Sequence, residues 1–100
     1  MLKIFISQPM RDKTDEEILK ERQRAIEIVK KKFGDNEVEI LDTFFEDFIE
    51  EGNPLEFLGR SIIYLGKADL AYFIKDWENA RGCRIEHLCA SEYGVSIIEE

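Results

Sequence analysis

The sequence predicts a three-layer α/β sandwich: a four-stranded parallel sheet in the order 2-1-3-4, with helices on both faces. Three observations carry the prediction. Short apolar runs of strand character recur at 2–6, 38–41, 70–74 and 95–98. Segments with apolar residues at helical spacing lie between them, bounded by capping and terminating residues. The joining segments are short, and strands alternating with helices in this way pair in parallel through right-handed crossovers. The order 2-1-3-4 sets a switch point between the first and third strands, and ligands of such sheets bind beside the carboxyl ends of the strands there.

Residues 2–6 read as the first strand, with Ile4 and Ile6 in the core. The polar loop Ser7-Gln8-Pro9-Met10-Arg11 leaves its carboxyl end. The Ser7 hydroxyl can donate to a phosphate or sugar there, and Arg11 can pair with a phosphate. A plain turn with a solvated arginine has the same composition. Thr14-Asp15-Glu16-Glu17 is a capping box, with Thr14 as the cap and Glu17 three residues on. The helix it opens aligns Ile18, Ala25, Ile26, Val29 and Phe33 on one face and charges on the other. Lys30, Lys31 and Lys32 suit the negative end of the helix dipole, and Gly34 terminates it.

Residues 38–41 form the second strand, which ends at Asp42-Thr43. In the segment FFEDFIEEG, 44–52, Phe44, Phe45, Phe48 and Ile49 can make one apolar face of a short helical turn over the sheet edge, as packing or as a lid. Asn53-Pro54 opens a second helix with proline at its first position. Its core face is Leu55, Leu58, Ile62 and Leu65, and Gly66 ends it. Residues 70–74 lack any polar interruption, as a central strand covered on both faces requires. A loop with Asp76, Trp77 and Asn79 follows. The helix 80–93 stops at Gly94, with Ile85, Leu88 and Cys89 as its core stripe and His87 on the surface.

The chain reads as one domain, 1–100, with no internal repeat or low-complexity segment. A net charge of −8 argues against a nucleic-acid polymer as partner, because binding one needs a basic face that displaces counterions. A local basic pocket for a single phosphate remains compatible. No apolar run approaches membrane-spanning length. Cys83 and Cys89 are six residues apart on one predicted helix. At 1.5 Å per residue their Cα atoms stand about 9 Å apart, beyond disulfide reach. They read as reduced thiols of a cytoplasmic protein, Cys89 filling core space. With His87 the sole histidine, no metal-ligand set emerges.

The segment from Asp69 to Gly94 concentrates the candidate chemistry. Glu86 has Gly82, Cys83, Cys89 and Ala90 at the positions three and four residues away, so no Lys or Arg on its own helix can pair with it. Small neighbours leave room for a ligand to approach the carboxylate. That pattern fits a solvated helix glutamate and a lone acid in a cleft about equally. Trp77 likewise fits a cap over the core or a ligand wall on a loop above the sheet. No glycine-rich phosphate fingerprint follows the first strand, which argues against a dinucleotide site.

Three stretches together resemble the nucleoside 2-deoxyribosyltransferase superfamily and its short phage and bacterial members. They are KIFISQPM, the Ala68-Asp69 pair before the third strand, and D-W-x-x-x-x-G-x-x-x-E-x-x-x-A from Asp76 to Ala90. The resemblance implies a Rossmann- and flavodoxin-like fold of the deoxyribosyltransferase type. It implies Glu86 as nucleophile on a 2-deoxyribonucleoside or its 5′-monophosphate, with transfer or hydrolysis at the N-glycosidic bond and no cofactor. It also implies a homodimer or higher homo-oligomer. Asp76 then assists the departing base, and Ser7, Arg11, Asp69, Trp77 and Gly82 contact substrate. Three positions depart from the family pattern: Phe5 stands where a tyrosine is frequent, Ser61 where an aspartate is frequent, and Ala80 where Asp or Ser is usual. These departures make a non-catalytic nucleotide-binding module the alternative.

Overall fold

The computed structural model describes residues 1–41 and 53–100. The expected helical turn of Phe44, Phe45, Phe48 and Ile49 lies outside them. The sheet holds β1 (Leu2–Ser7), β2 (Val38–Ile40), β3 (Leu70–Phe73) and β4 (Ser96–Glu99), all parallel, in the order β2-β1-β3-β4. Among the described residues the helices are α1 (Asp15–Phe33), α2 (Pro54–Leu65) and α3 (Arg81–Glu92), with one 3-10 turn at Trp77–Asn79. β1 and β3 are central, and their register pairs Ile4 with Leu70 and Ser7 with Phe73.

Strand alternation distributes the core between two layers. Ile4, Ile6, Leu70 and Tyr72 pack with Ala25 and Val29 of α1 on one face. Phe5, Ala71 and Phe73 pack with Leu65 of α2 and Ala90 of α3 on the other. The helix signals act as read. Thr14 accepts from the Glu17 backbone N–H while the Glu17 carboxylate accepts from the Thr14 N–H, completing the capping box. Asn53 caps α2 with Pro54 at its first position. Arg22 departs from its expected charged face: it is buried, and its Nη2 donates to the Leu41 carbonyl at 3.0 Å, tying α1 to the end of β2.

The expected core faces are met in part. On α2, Leu65 is buried and Ile62 packs against the core, whereas Leu55 is 78% exposed and Ser61 is buried. On α3, Ile85 and Leu88 face outward, and the buried stripe is Cys83, Glu86 and Ala90. Close approach explains the second case. Ala90 and Ala71 are both fully buried in one cluster, and small residues let α3 settle near the sheet while the larger Leu88 is left outside. His87 is half-buried rather than on the surface. It stacks on Trp77 with ring centroids 4.1 Å apart, meets Phe73 edge-on, and bonds Glu99 at 2.6 Å.

At the far end of β4, Glu100 gathers three donors. Its carboxylate accepts from the Tyr72 hydroxyl at 2.7 Å, from Arg24 at 2.8 Å and from the Lys75 backbone N–H at 2.8 Å.

Candidate functional site

β1, α2 and α3 converge on one carboxylate at the switch point. Alternation along β1 sends Phe5 and Ser7 toward the α2/α3 layer, and Ser7 is the last residue of the strand. Its hydroxyl donates to Glu86 Oε1 at 2.7 Å, a buried bond. Glu86 lies one helical turn into α3, 8% exposed, and lines an open cleft at the carboxyl edge of the sheet. Arg11, Asp76, Ser61, Gly82 and Arg81 line the same cleft, whose volume is about 1540 Å3.

Burial pushes the Glu86 carboxyl from an ordinary 4.5 up to about 7; hydrogen bonds from Ser7 and, more weakly, Ser61 hold it back from rising further. Among the described residues no cation pairs with it. One turn earlier, burial pushes the Cys83 thiol up to about 11, so it stays neutral and inert. A carboxyl that is nearly dry, free of a counter-ion and close to half-ionised at neutral pH can act as nucleophile, base or acid. An ordinary surface glutamate is neither dry nor half-ionised at neutral pH.

The candidate residues fall into three groups. Glu86, Asp76, Arg11 and Gly82 share the cleft. Asp76 is exposed there, with a left-handed backbone (φ 71°) just past β3. A Cβ built on Gly82 would meet no atom within 4 Å, so the space before the helix terminus is open. Ser7 belongs to the site in a different capacity than expected. It is 1% exposed and its proton is committed to Glu86, so it positions that carboxylate and does not face a ligand. Trp77 and Asp69 lie elsewhere. Trp77 packs on Phe73 and His87 over the core. Asp69 sits at the opposite, amino end of β3, where its Oδ2 accepts from the Lys3 N–H at 2.8 Å and ties β3 to β1.

Cations and acids mix in the cleft. The first turn of α3 carries Arg81 and Arg84 and has no acid and no side-chain cap. Arg84 donates to the Glu78 carbonyl at 3.0 Å, while neither Arg11 nor Arg81 forms an ion pair among the described residues. Arg11, Arg81 and the uncapped first turn of α3 are thus the groups at this end of the cleft suited to an anion, set against Asp12 and Asp76 on the same lining. Gln8 is buried beside it and donates through Nε2 to the Ile18 carbonyl at 2.6 Å, fixing the loop after β1.

Ser61 entered the sequence reading only as a departure from a family pattern. Its signal was its place on α2, three residues after Leu58 and four before Leu65, a polar residue on a core-facing line. Among the described residues no group of three or more His, Cys, Asp or Glu side chains is gathered as a metal site requires. None of the described helices is long and apolar enough to cross a membrane. No family model matches the chain, and no curated protein or solved structure is significantly similar to it.

Proposed function

We propose that the chain cleaves or transfers at the N-glycosidic bond of a 2-deoxyribonucleoside or its 5′-monophosphate, with Glu86 as the nucleophile. The observation that carries the reading is the carboxylate itself: buried at the switch-point cleft, without a cation partner, and held by the Ser7 hydroxyl at 2.7 Å. In this reading a Glu86 oxygen attacks the anomeric carbon while the carbon–nitrogen bond breaks and its electron pair leaves with the base. Asp76, on the same cleft, supplies the proton that the departing base takes up. Water or a second base then attacks the anomeric carbon and gives up its proton to Asp76, the ester bond breaks with its electron pair returning to the Glu86 carboxylate, and two displacements retain the anomeric configuration. Arg11 and Arg81 offer the charge that a 5′-phosphate needs. The raised pKa fits the task, because a carboxylate with little hydration left to lose is a more reactive nucleophile than a solvated one.

The same reading takes the molecule to be a homodimer of the reducing cytoplasm, in keeping with the free thiols of Cys83 and Cys89. Sedimentation reads the assembly directly. The activity is tested by incubating the protein with a panel of deoxynucleosides and deoxynucleoside monophosphates and separating released base by chromatography. Base release that disappears in Glu86→Gln is the expected result. Ligand-dependent thermal stabilisation of the wild type without any base release would replace the enzyme with a nucleotide-binding module.

A further inference from the structure

We propose that Trp77 is a positioning residue for Asp76: held against Phe73 and His87, its ring fixes the turn that keeps the Asp76 carboxylate on the cleft. The inference rests on the reading of Asp76 as the proton donor to the departing base.

Among the described residues two other than glycine have a positive φ, Asp12 at 64° and Asp76 at 71°, and both line the cleft. Aspartate tolerates the left-handed region better than most residues, but surrounding structure must still hold it there. For Asp76 the holding contacts are visible. The Trp77 N–H donates to the Ile74 carbonyl at 3.1 Å, closing a reverse turn in which Asp76 (φ 71°, ψ 16°) has the third position. The Asn79 N–H donates to the Asp76 carbonyl at 3.0 Å. Glycine is the ordinary occupant of a left-handed third position. An aspartate there gives up that ease and gains a carboxylate just past the end of β3.

Trp77 supplies the hold because its ring is fixed by neighbouring elements. It stacks on His87 of α3 with centroids 4.1 Å apart and planes 9° from parallel, and it meets Phe73 of β3 at 5.5 Å. His87 is itself tied to Glu99 of β4 at 2.6 Å. Arg84 of α3 donates to the Glu78 carbonyl at 3.0 Å, which pins the chain beyond Trp77. The residue next to this ring cannot swing its backbone without disturbing the stack. Asp76 is exposed, so its backbone does most to set where the carboxylate lies. Protonating a leaving group needs the donor within hydrogen-bond reach of it, and a fixed turn keeps it there. A Trp77 that only covered the core would, when lost, lower stability and leave the Asp76 backbone as it is.

The test reads the Asp76 backbone by NMR in wild type, Trp77→Leu and Trp77→Phe, with circular dichroism to verify the fold. A positive φ brings a residue's own Hα close to its amide proton, so Asp76 should give a strong intraresidue Overhauser effect between them. That effect should weaken in Trp77→Leu and persist in Trp77→Phe, which keeps a ring against His87. His87→Leu removes the stack from the other side, should weaken the effect as well, and serves if Trp77→Leu does not fold. An unchanged effect in a folded leucine variant, or a weak one in wild type, overturns the proposal. Base release is measured in the same proteins. Trp77→Leu should lower kcat about ten- to hundredfold with KM nearly unchanged, a smaller loss than in Asp76→Asn. Added to Asp76→Asn it should cost nothing further, because both changes act on one group. A kcat that holds while the turn opens overturns the proposal, and so does an undiminished further loss in the Asp76→Asn background. If the turn opens in Trp77→Leu but wild type cleaves no substrate, the hold on Asp76 stands and the glycosidic reading falls. If base is released while the turn stays fixed, the reverse holds.

Discussion

Glu86→Gln should stabilise the protein at neutral pH while abolishing any chemistry that needs the carboxylate. The variant keeps the shape and an oxygen acceptor for the Ser7 hydroxyl, and it removes a charge from a position only 8% exposed. A carboxyl with a pKa of 4.5 when unfolded and about 7 when folded binds more protons in the native state throughout that interval. Native stability is therefore full below pH 4.5, declines as the pH rises from 4.5 to 7, and is flat above. The difference of about 2.5 pH units corresponds to about 3 kcal/mol at 1.36 kcal/mol per unit. That is a large share of the stability of a small domain. Urea unfolding of both proteins at fixed pH between 4 and 8.5 reads the effect, and the difference between them cancels the titration of every other group. Glu86→Gln should gain about 3 kcal/mol relative to wild type across the interval. With a typical urea slope for a small domain, its midpoint moves by about 1–3 M. A stability difference that is constant from pH 4 to 8 would refute the reasoning, because Glu86 would then titrate as a solvated acid.

Three further outcomes follow from the geometry. Trp77→Ala removes the cap over Phe73 and the stacking partner of His87, and should cost about 2 kcal/mol in chemical unfolding while leaving ligand affinity in the cleft unchanged. Glu100→Ala strands the Tyr72 hydroxyl and the Arg24 head. It should cost about 1–3 kcal/mol, and the Tyr72 phenol, pushed up to about 12 by burial and its Glu100 bond, should ionise at lower pH in an ultraviolet titration. Gly82→Leu should fold normally, since nothing stands within 4 Å of the new Cβ, but its side chain enters the cleft and should weaken binding of any substrate from the panel about tenfold or more in a thermal-shift titration.

The architecture was legible because it depends on local signals that few contexts override. The Thr14 box, Pro54 after Asn53, and the uninterrupted run of β3 each act within a few residues, and together they dictate the alternation that a parallel sheet requires. Helix rotation was less legible. Assigning the largest apolar residues of α3 to the core put Leu88 and Ile85 inside, whereas depth there is set by how small Ala90 and its partner Ala71 are. The same error left Glu86 off the core stripe, when it lies on the buried one. The absence of a cation at helical spacing did mark Glu86, because that absence is local. Its bond to Ser7 was out of reach, because it joins residues 79 apart and depends on register and strand parity together. Trp77 and Asp69 show the converse: chemically expressive side chains next to the site in sequence, whose strands and stacking partners draw them elsewhere.

The register of the sheet also orders events in time. β3 meets β4 across 26 residues, from Leu70 to Ser96, but meets β1 across 66, from Ile4 to Leu70. Closing the longer loop costs about 0.8 kcal/mol more in chain entropy, and the β3-α3-β4 unit is continuous in sequence, so it is the segment expected to assemble first. Glu86 stays hydrated in that unit, because the strand that carries Ser7 has yet to dock. If the β3-α3-β4 unit is the folding nucleus, the desolvation of Glu86 falls after the rate-limiting barrier, among contacts absent from the transition state. Raising the pH from 4.5 to 7 should therefore steepen escape from the native state and leave the approach to it nearly unaltered: the unfolding arm of a chevron rises while the folding arm holds still.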